Sequence, residues 1–213
     1  MNVLRRRARP PYKLLSLLLQ YPSDELLDAR PAIAEAIAAL PSSPARAALE
    51  RFFAGFDGAP GIELQQAYVE TFDHQRRYSL YLTYGTEGDT RRRGMALLRL
   101  KQLYAAAGLP LEGTELPDYL PAMLEFAALA PEGAGRRLLA EHRAGLELLR
   151  MGLRQRGSPY LDLVDAVCAG MPGLGASELE RLRRLATEGP KLEEVGLRPF
   201  APPEVMPHAE ARR

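Results

Sequence analysis

Residues 116–130 read LPDYLPAMLEFAALA, and the placing of their apolar side chains decides the fold. Leu120, Leu124 and Ala127 recur at steps of four and three and make one helical stripe, and Met123 and Phe126 make a second beside it. A helix that is apolar on most of its sides belongs in the middle of a bundle, covered by neighbours all round. Pro117 and Pro121 fix where it starts. Asp118, at that start, has two readings, N-cap of the helix or an acid in a groove.

On either side of this stretch the same three-and-four periodicity continues, and alternating strand-like runs are scarce. Leu14, Leu17 and Leu18 open a first helix that stops at Tyr21-Pro22. Ser23 and Asp24 offer N-cap chemistry for the next, which Pro31 bends or divides. Ile33, Ile37 and Leu40 continue its stripe. Ser43-Pro44 starts another helix, with Leu49, Phe52, Phe53 and Phe56 on its apolar side. Leu64, Tyr68 and Phe72 follow at a spacing of four. Beyond a loop at Gly85–Gly88, a long helix is predicted over about 90–107, closed by Gly108-Leu-Pro. Further helices are predicted over about 133–156 and 159–169, and a last one opens at Ser177. The expectation is an all-α, single-domain bundle of eight or nine helices over residues 1–189, followed by a loose, Pro-rich tail over 190–213.

Composition narrows the function classes. The chain has 213 residues, 46% hydrophobic and 26% charged, which suits a globular domain with a real core. A formal net charge of +1 gives no field for gathering nucleic acid or anionic lipid. The basic opening MNVLRRRARPP precedes an apolar run of only about ten residues, YKLLSLLLQY, too short to span a bilayer. The expectation is a cytoplasmic protein with no membrane insertion. Cys168 is the lone cysteine, and His74, His142 and His208 lie far apart, which argues against a metal site or cluster held by this chain.

The candidate sites are weak as catalytic machinery. GTEGDTRRRG, at 85–94, places glycines before a helix start but lacks the lysine and preceding strand of a phosphate loop, and Thr86, Asp89 or Thr90 acting as caps accounts for it. Glu70 and Asp73 share a helix face, a pairing common on solvated helices. His74 beside Asp73 reads as a surface hydrogen bond, and Cys168 as a small buried hydrophobe. Arg91, Arg92 and Arg93 are interleaved with Glu87 and Asp89, the pattern of a solvated helix start with local ion pairs rather than a nucleic-acid patch. What remains is a bundle with Phe72, Tyr78, Tyr81 and Tyr84 near acids at Glu70, Asp73, Glu87 and Asp89, a surface suited to an apolar and basic peptide. From the residues themselves the partner stays open.

Four motifs in order carry a resemblance. Tyr68-x-x-x-Phe72-Asp73, Ser79-Leu80-Tyr81-Leu82, Gly88-Asp89-x-Arg91-x-Arg93-Gly94 and Glu115-Leu116-Pro117-Asp118-Tyr119-Leu120-Pro121-x-x-Leu124-Glu125-Phe126 together resemble the NarJ branch of the TorD/DmsD/NarJ chaperones. LLLQYPSDEL, at Leu17–Leu26, is similar to the opening of that branch, and the resemblance covers about residues 12–170. It implies a system-specific assembly factor, sometimes labelled a delta subunit, for a membrane-bound respiratory nitrate reductase. Such a chaperone is not an enzyme and needs no cofactor of its own. It binds the unfinished catalytic (alpha) subunit, including its N-terminal signal-like tail. It keeps that client competent for insertion of the molybdenum cofactor and iron–sulfur clusters, and it delays membrane docking. A monomer or weak dimer is expected.

On this footing the client peptide is expected on Tyr68, Glu70, Phe72, Asp73, Tyr78, Tyr81, Asp118, Tyr119 and Met123. Gly85, Gly88, Asp89, Arg91, Arg93 and Gly94 are expected to form a hinge. The tail ends His-Ala-Glu-Ala-Arg-Arg, where relatives often carry an acidic extension. Two alternatives stand beside this reading. One is a chaperone for another molybdoenzyme, of the dimethyl sulfoxide, trimethylamine N-oxide, chlorate or selenate reductase type. The other is a small nucleotide-binding enzyme using Gly88–Gly94.

Overall fold

The computed structural model describes residues 11–73, 78–111, 113–131, 133–169 and 171–188. His74, His208 and the tail expected over 190–213 lie outside them. Twelve helices are found among the described residues: α1 (Tyr12–Leu18), α2 (Asp24–Asp28), α3 (Arg30–Ala38), α4 (Pro44–Asp57), α5 (Gly61–Phe72), α6 (Leu82–Glu87), α7 (Arg91–Ala106), α8 (Leu120–Leu129), α9 (Ala134–Glu141), α10 (Arg143–Arg156), α11 (Tyr160–Cys168) and α12 (Ala176–Glu188). The class is all-α. Among the described residues there is one isolated antiparallel bridge, Tyr81 with Tyr119, and no helix is long and apolar enough to cross a membrane.

The expected eight or nine helices become twelve for three local reasons. The segment over 24–38 divides at Ala29, just before Arg30-Pro31. The segment expected over 133–156 breaks at His142, whose ring Nδ1 sits 2.9 Å from the Leu138 carbonyl oxygen. Its halves dock on different neighbours, α9 on α8 and α10 on α6, α11 and α12, and one straight helix could not serve both. The third difference is α6, which takes in Gly85 where a loop was expected.

Polar starts behave as the local sequence dictates. The side chains of Ser23, Ser43 and Thr90 accept from the backbone N–H groups of Leu26, Arg46 and Arg93 at 3.4, 3.2 and 3.3 Å, each meeting one of the unpaired donors at a helix start.

At the centre stands α8, with Leu120, Met123 and Leu124 wholly buried and Phe126 nearly so. It packs on α1, where Ser16 Oγ donates to the Pro121 carbonyl at 2.8 Å and Lys13 pairs with Glu125 at the rim. It packs on α9 so closely that a Cβ on Gly135 would lie 2.2 Å from Ala127 Cα. A second layer joins α4 to α11 through Phe52 and Tyr160, whose ring centroids are 5.3 Å apart, and through Arg51 and Asp162. In contrast, α7 buries only Leu100 and Tyr104, turns Arg93 inward, and leaves most of its other residues exposed.

Candidate functional site

Two of the sequence motifs meet across a short piece of extended backbone. Leu82 N–H donates to the Asp118 carbonyl at 3.0 Å, and Leu120 N–H donates to the Leu80 carbonyl at 2.8 Å, so residues 80–82 lie antiparallel to 118–120. Successive side chains of extended chain point to opposite faces, and the two faces here have different chemistry.

One face is aromatic and partly open. The rings of Tyr81 and Tyr119 lie 5.3 Å apart, and the Tyr119 hydroxyl is 3.3 Å from that of Tyr68. Tyr68 also donates to the Leu19 carbonyl at 3.2 Å and meets the half-exposed ring of Tyr21 edge-on at 5.6 Å. Behind it the stack continues inward through Phe72 and Tyr160. Acids border the open side: Tyr81 donates to Glu115 Oε1 at 2.8 Å, and that oxygen also accepts from Leu116 N–H. Burial lifts the phenols of Tyr68, Tyr81 and Tyr119 above the usual tyrosine range, and the neighbouring charges of Asp73 and Glu115 push Tyr119 the same way. These hydroxyls therefore serve as neutral hydrogen-bonding groups at physiological pH. The result is a ledge of three open or partly open tyrosines, Tyr21, Tyr119 and Tyr81, seated on the buried Tyr68 and bordered by Asp73 and Glu115.

The opposite face is closed and ionic. Asp118 is fully buried; its Oδ2 accepts from Thr83 N–H at 3.3 Å and from Thr83 Oγ1 at 2.5 Å. Asp118 thus caps α6 rather than α8, whose N-cap residue Tyr119 makes no side-chain cap bond. The same oxygen is 3.6 Å from Arg93 Nη2, and Arg93 Nε donates to Thr83 Oγ1 at 3.4 Å. The Arg93 guanidinium also covers the Tyr84 ring at 5.3 Å. Tyr104 closes the corner by donating to the Pro117 carbonyl at 2.7 Å.

Of the expected client-binding residues, Tyr81, Tyr119 and Asp73 fall on or beside the ledge, and Tyr68 and Phe72 are buried beneath it. Glu70 and Tyr78 form a separate group around Arg156, whose Nη2 is 3.9 Å from Glu70 and whose guanidinium lies 5.9 Å from the Tyr78 ring centre. Met123 and Asp118 present no surface. Among the expected hinge residues, Gly88 holds φ 64° and ψ −154°, a region that is essentially glycine's own. Gly85 and Gly94 lie inside α6 and α7, Asp89 is exposed, and Arg93 is turned inward to Asp118. Arg92 pairs with Glu87 at 3.3 Å, matching the local ion pairing expected of the arginine cluster. Sequence reading missed Tyr21, Thr83 and Glu115 as members of the site. Glu115 stood in a motif and Tyr21 preceded a proline, but no local pattern brings either to Tyr68 or Tyr81.

Comparison with known proteins places the chain in a family. The family model for the nitrate reductase delta subunit matches residues 34–165. The nitrate reductase-like protein NarX of Mycobacterium tuberculosis is 38% identical over 157 residues, 74% of this chain; the chain spans about a quarter of that relative, 24% of its length. The probable nitrate reductase molybdenum cofactor assembly chaperone NarJ of Bacillus subtilis is 35% identical over 168 residues, 78% of this chain and 91% of that protein. The Escherichia coli chaperone NarJ is 37% identical over 155 residues, 71% of this chain and 65% of its own length. The two NarJ relatives are named for assembly rather than for catalysis. Both motif-bearing segments that meet at Tyr81 and Tyr119 lie within the matched span, and the chain belongs to the nitrate reductase delta subunit family, in the branch of the NarJ chaperones.

Proposed function

We propose that this protein is a cytoplasmic, non-catalytic assembly chaperone for the catalytic subunit of a respiratory nitrate reductase. The ledge of Tyr21, Tyr119 and Tyr81, backed by the buried Tyr68, takes that subunit's N-terminal tail. By holding the unfinished client, the chaperone keeps it competent for insertion of the molybdenum cofactor and iron–sulfur clusters and sets when it docks on the membrane.

The observation that carries this reading is the pairing of half-open tyrosines with bordering acids on a member of this family. Tyrosines bury much area at little rotamer cost, and anchors of this kind supply most of the binding free energy in peptide complexes. Asp73 and Glu115 favour a tail that is basic between apolar residues, speeding encounter and fixing its direction.

The test is calorimetric titration of the full chain with a synthetic peptide of the first residues of the nitrate reductase catalytic subunit of the same organism. Saturable one-to-one binding is expected. Tyr81→Ala and Asp73→Asn should each weaken it about tenfold, a loss of about 1.4 kcal/mol. A folded sample that does not bind, or two variants that bind like the parent, would refute the ledge as the docking surface. A peptide from a dimethyl sulfoxide or trimethylamine N-oxide reductase, titrated in parallel, separates the nitrate client from the alternatives.

A further inference from the structure

Away from the ledge, a cleft of about 350 Å³ opens between α4, α10 and the end of α11. Alanines of α4 and Cys168 form its apolar wall, and Arg51, Arg143 and Arg150 bring three guanidinium groups to it against the single lining carboxylate of Asp165. Burial pushes the Cys168 thiol up to about 11, so that wall is uncharged and unreactive at neutral pH.

Each arginine is anchored by an acid. Asp162 Oδ1 accepts from Arg51 Nε and Nη2 at 2.9 and 2.6 Å. Asp165 and the buried Glu147 hold Arg150, and Glu147 also accepts from Arg143 Nη2 at 3.3 Å. Arg143 differs from the other two. Its side chain is only 13% exposed, and among the described residues its Nε has no acceptor and its Nη1 meets nothing better than the Met171 thioether at 3.6 Å. The weakly met Nη1 is the donor of Arg143 on offer to an acceptor that enters the cleft, whereas the Nε has no exposed surface.

Guanidinium groups held in fixed orientation suit the oxygens of phosphates and carboxylates, which they bind in pairs. The volume lies in the range of small-molecule sites. We propose that this cleft binds a small oxyanionic molecule, a phosphate ester or a polycarboxylate, with Arg143 as the principal donor and Arg150 and Arg51 closing around it. Because Asp162, Asp165 and Glu147 already balance the three arginines, a ligand must compete with them, which selects multivalent anions over monovalent ones. The site is separate from the tyrosine ledge and rests on nothing in the client reading.

Pyrophosphate and citrate, each titrated into the full chain against sodium chloride of equal ionic strength, provide the test. Saturable stabilisation in a thermal melt is expected with at least one of them and not with chloride. Tighter pyrophosphate binding assigns the site to phosphates, and tighter citrate binding assigns it to carboxylates. Arg143→Gln should weaken binding at least tenfold. The exposed substitution Arg51→Ala, which leaves the core untouched, should weaken it severalfold with an unchanged helical signal. Stabilisation no greater than that by chloride, or parental affinity in Arg51→Ala and in a folded Arg143→Gln, overturns the proposal.

Discussion

Asp118 carries a full complement of contacts on one oxygen and none on the other. Oδ2 holds Thr83 and faces Arg93, whereas Oδ1 is buried without a hydrogen-bond partner among the described residues. A carboxylate out of reach of water is tolerated when cation and cap bonds compensate it, and removing one member of such a set leaves the other stranded. Asp118→Asn should therefore cost about 2–4 kcal/mol, since it removes the charge facing Arg93 and weakens the cap on α6. Arg93→Met should also destabilise, because it strands Asp118. The double variant should cost less than the two single losses added together, because no stranded charge remains. Urea denaturation of the four proteins checks this. Strictly additive losses would mean that the 3.6 Å approach carries no coupling.

Helix contacts depend on where a Cβ can and cannot stand. A Cβ at Gly145 would lie 2.5 Å from the Leu82 carbonyl oxygen, so α10 lies against α6 only because that residue has no side chain. Gly145→Ala should push the two helices apart at a cost of about 1–3 kcal/mol. Gly94, inside α7, meets nothing within 4 Å, and Gly94→Ala should stabilise by about 0.5–1 kcal/mol through the helical preference of alanine alone. Paired thermal melts read both signs, and equal effects would refute the packing difference. If Gly94 serves as a hinge for client entry, its alanine variant should also bind the peptide more weakly. These contacts show what could be read in advance. The stripes of α4, α5 and α8 and the caps at Ser23, Ser43 and Thr90 rest on neighbours within a turn or two, so the sequence displays them. The six-residue α6 is capped by a carboxylate 35 residues further along the chain, and the break at His142 answers to helices elsewhere, so neither leaves a local pattern. For the same reason Tyr81 and Tyr119 were legible as candidates, whereas the meeting of Tyr81 with Glu115 and of Tyr68 with Tyr21 was not.

Taken as a whole, the bundle is held around phenols that it keeps neutral. Tyr68, Tyr104 and Tyr160 are nearly inaccessible, and burial lifts each above the ordinary value of 10.0. The hydroxyls of Tyr68 and Tyr104 also donate to the carbonyls of Leu19 and Pro117, bonds that only the protonated form can make. In the unfolded chain these groups ionise near pH 10, and in the folded chain they do so only above it. Their contribution is therefore complete below pH 10 and is lost as the pH rises through the interval up to the folded values. Each shifted group lowers stability by up to about 1.4 kcal/mol per pH unit in that interval. The three act in the same direction, so the loss steepens with each one that ionises. Cys168, raised from 9.0 to about 11, adds to the loss in the same direction. An alkaline titration followed by phenolate absorbance and by helical circular dichroism is expected to show Tyr68, Tyr104 and Tyr160 ionising above pH 10 together with the loss of helical signal. A single gradual ionisation near pH 10 with the helices preserved would mean that these three phenols reach water in the native bundle, and the core around α8 and α11 would then be looser than the packing described above.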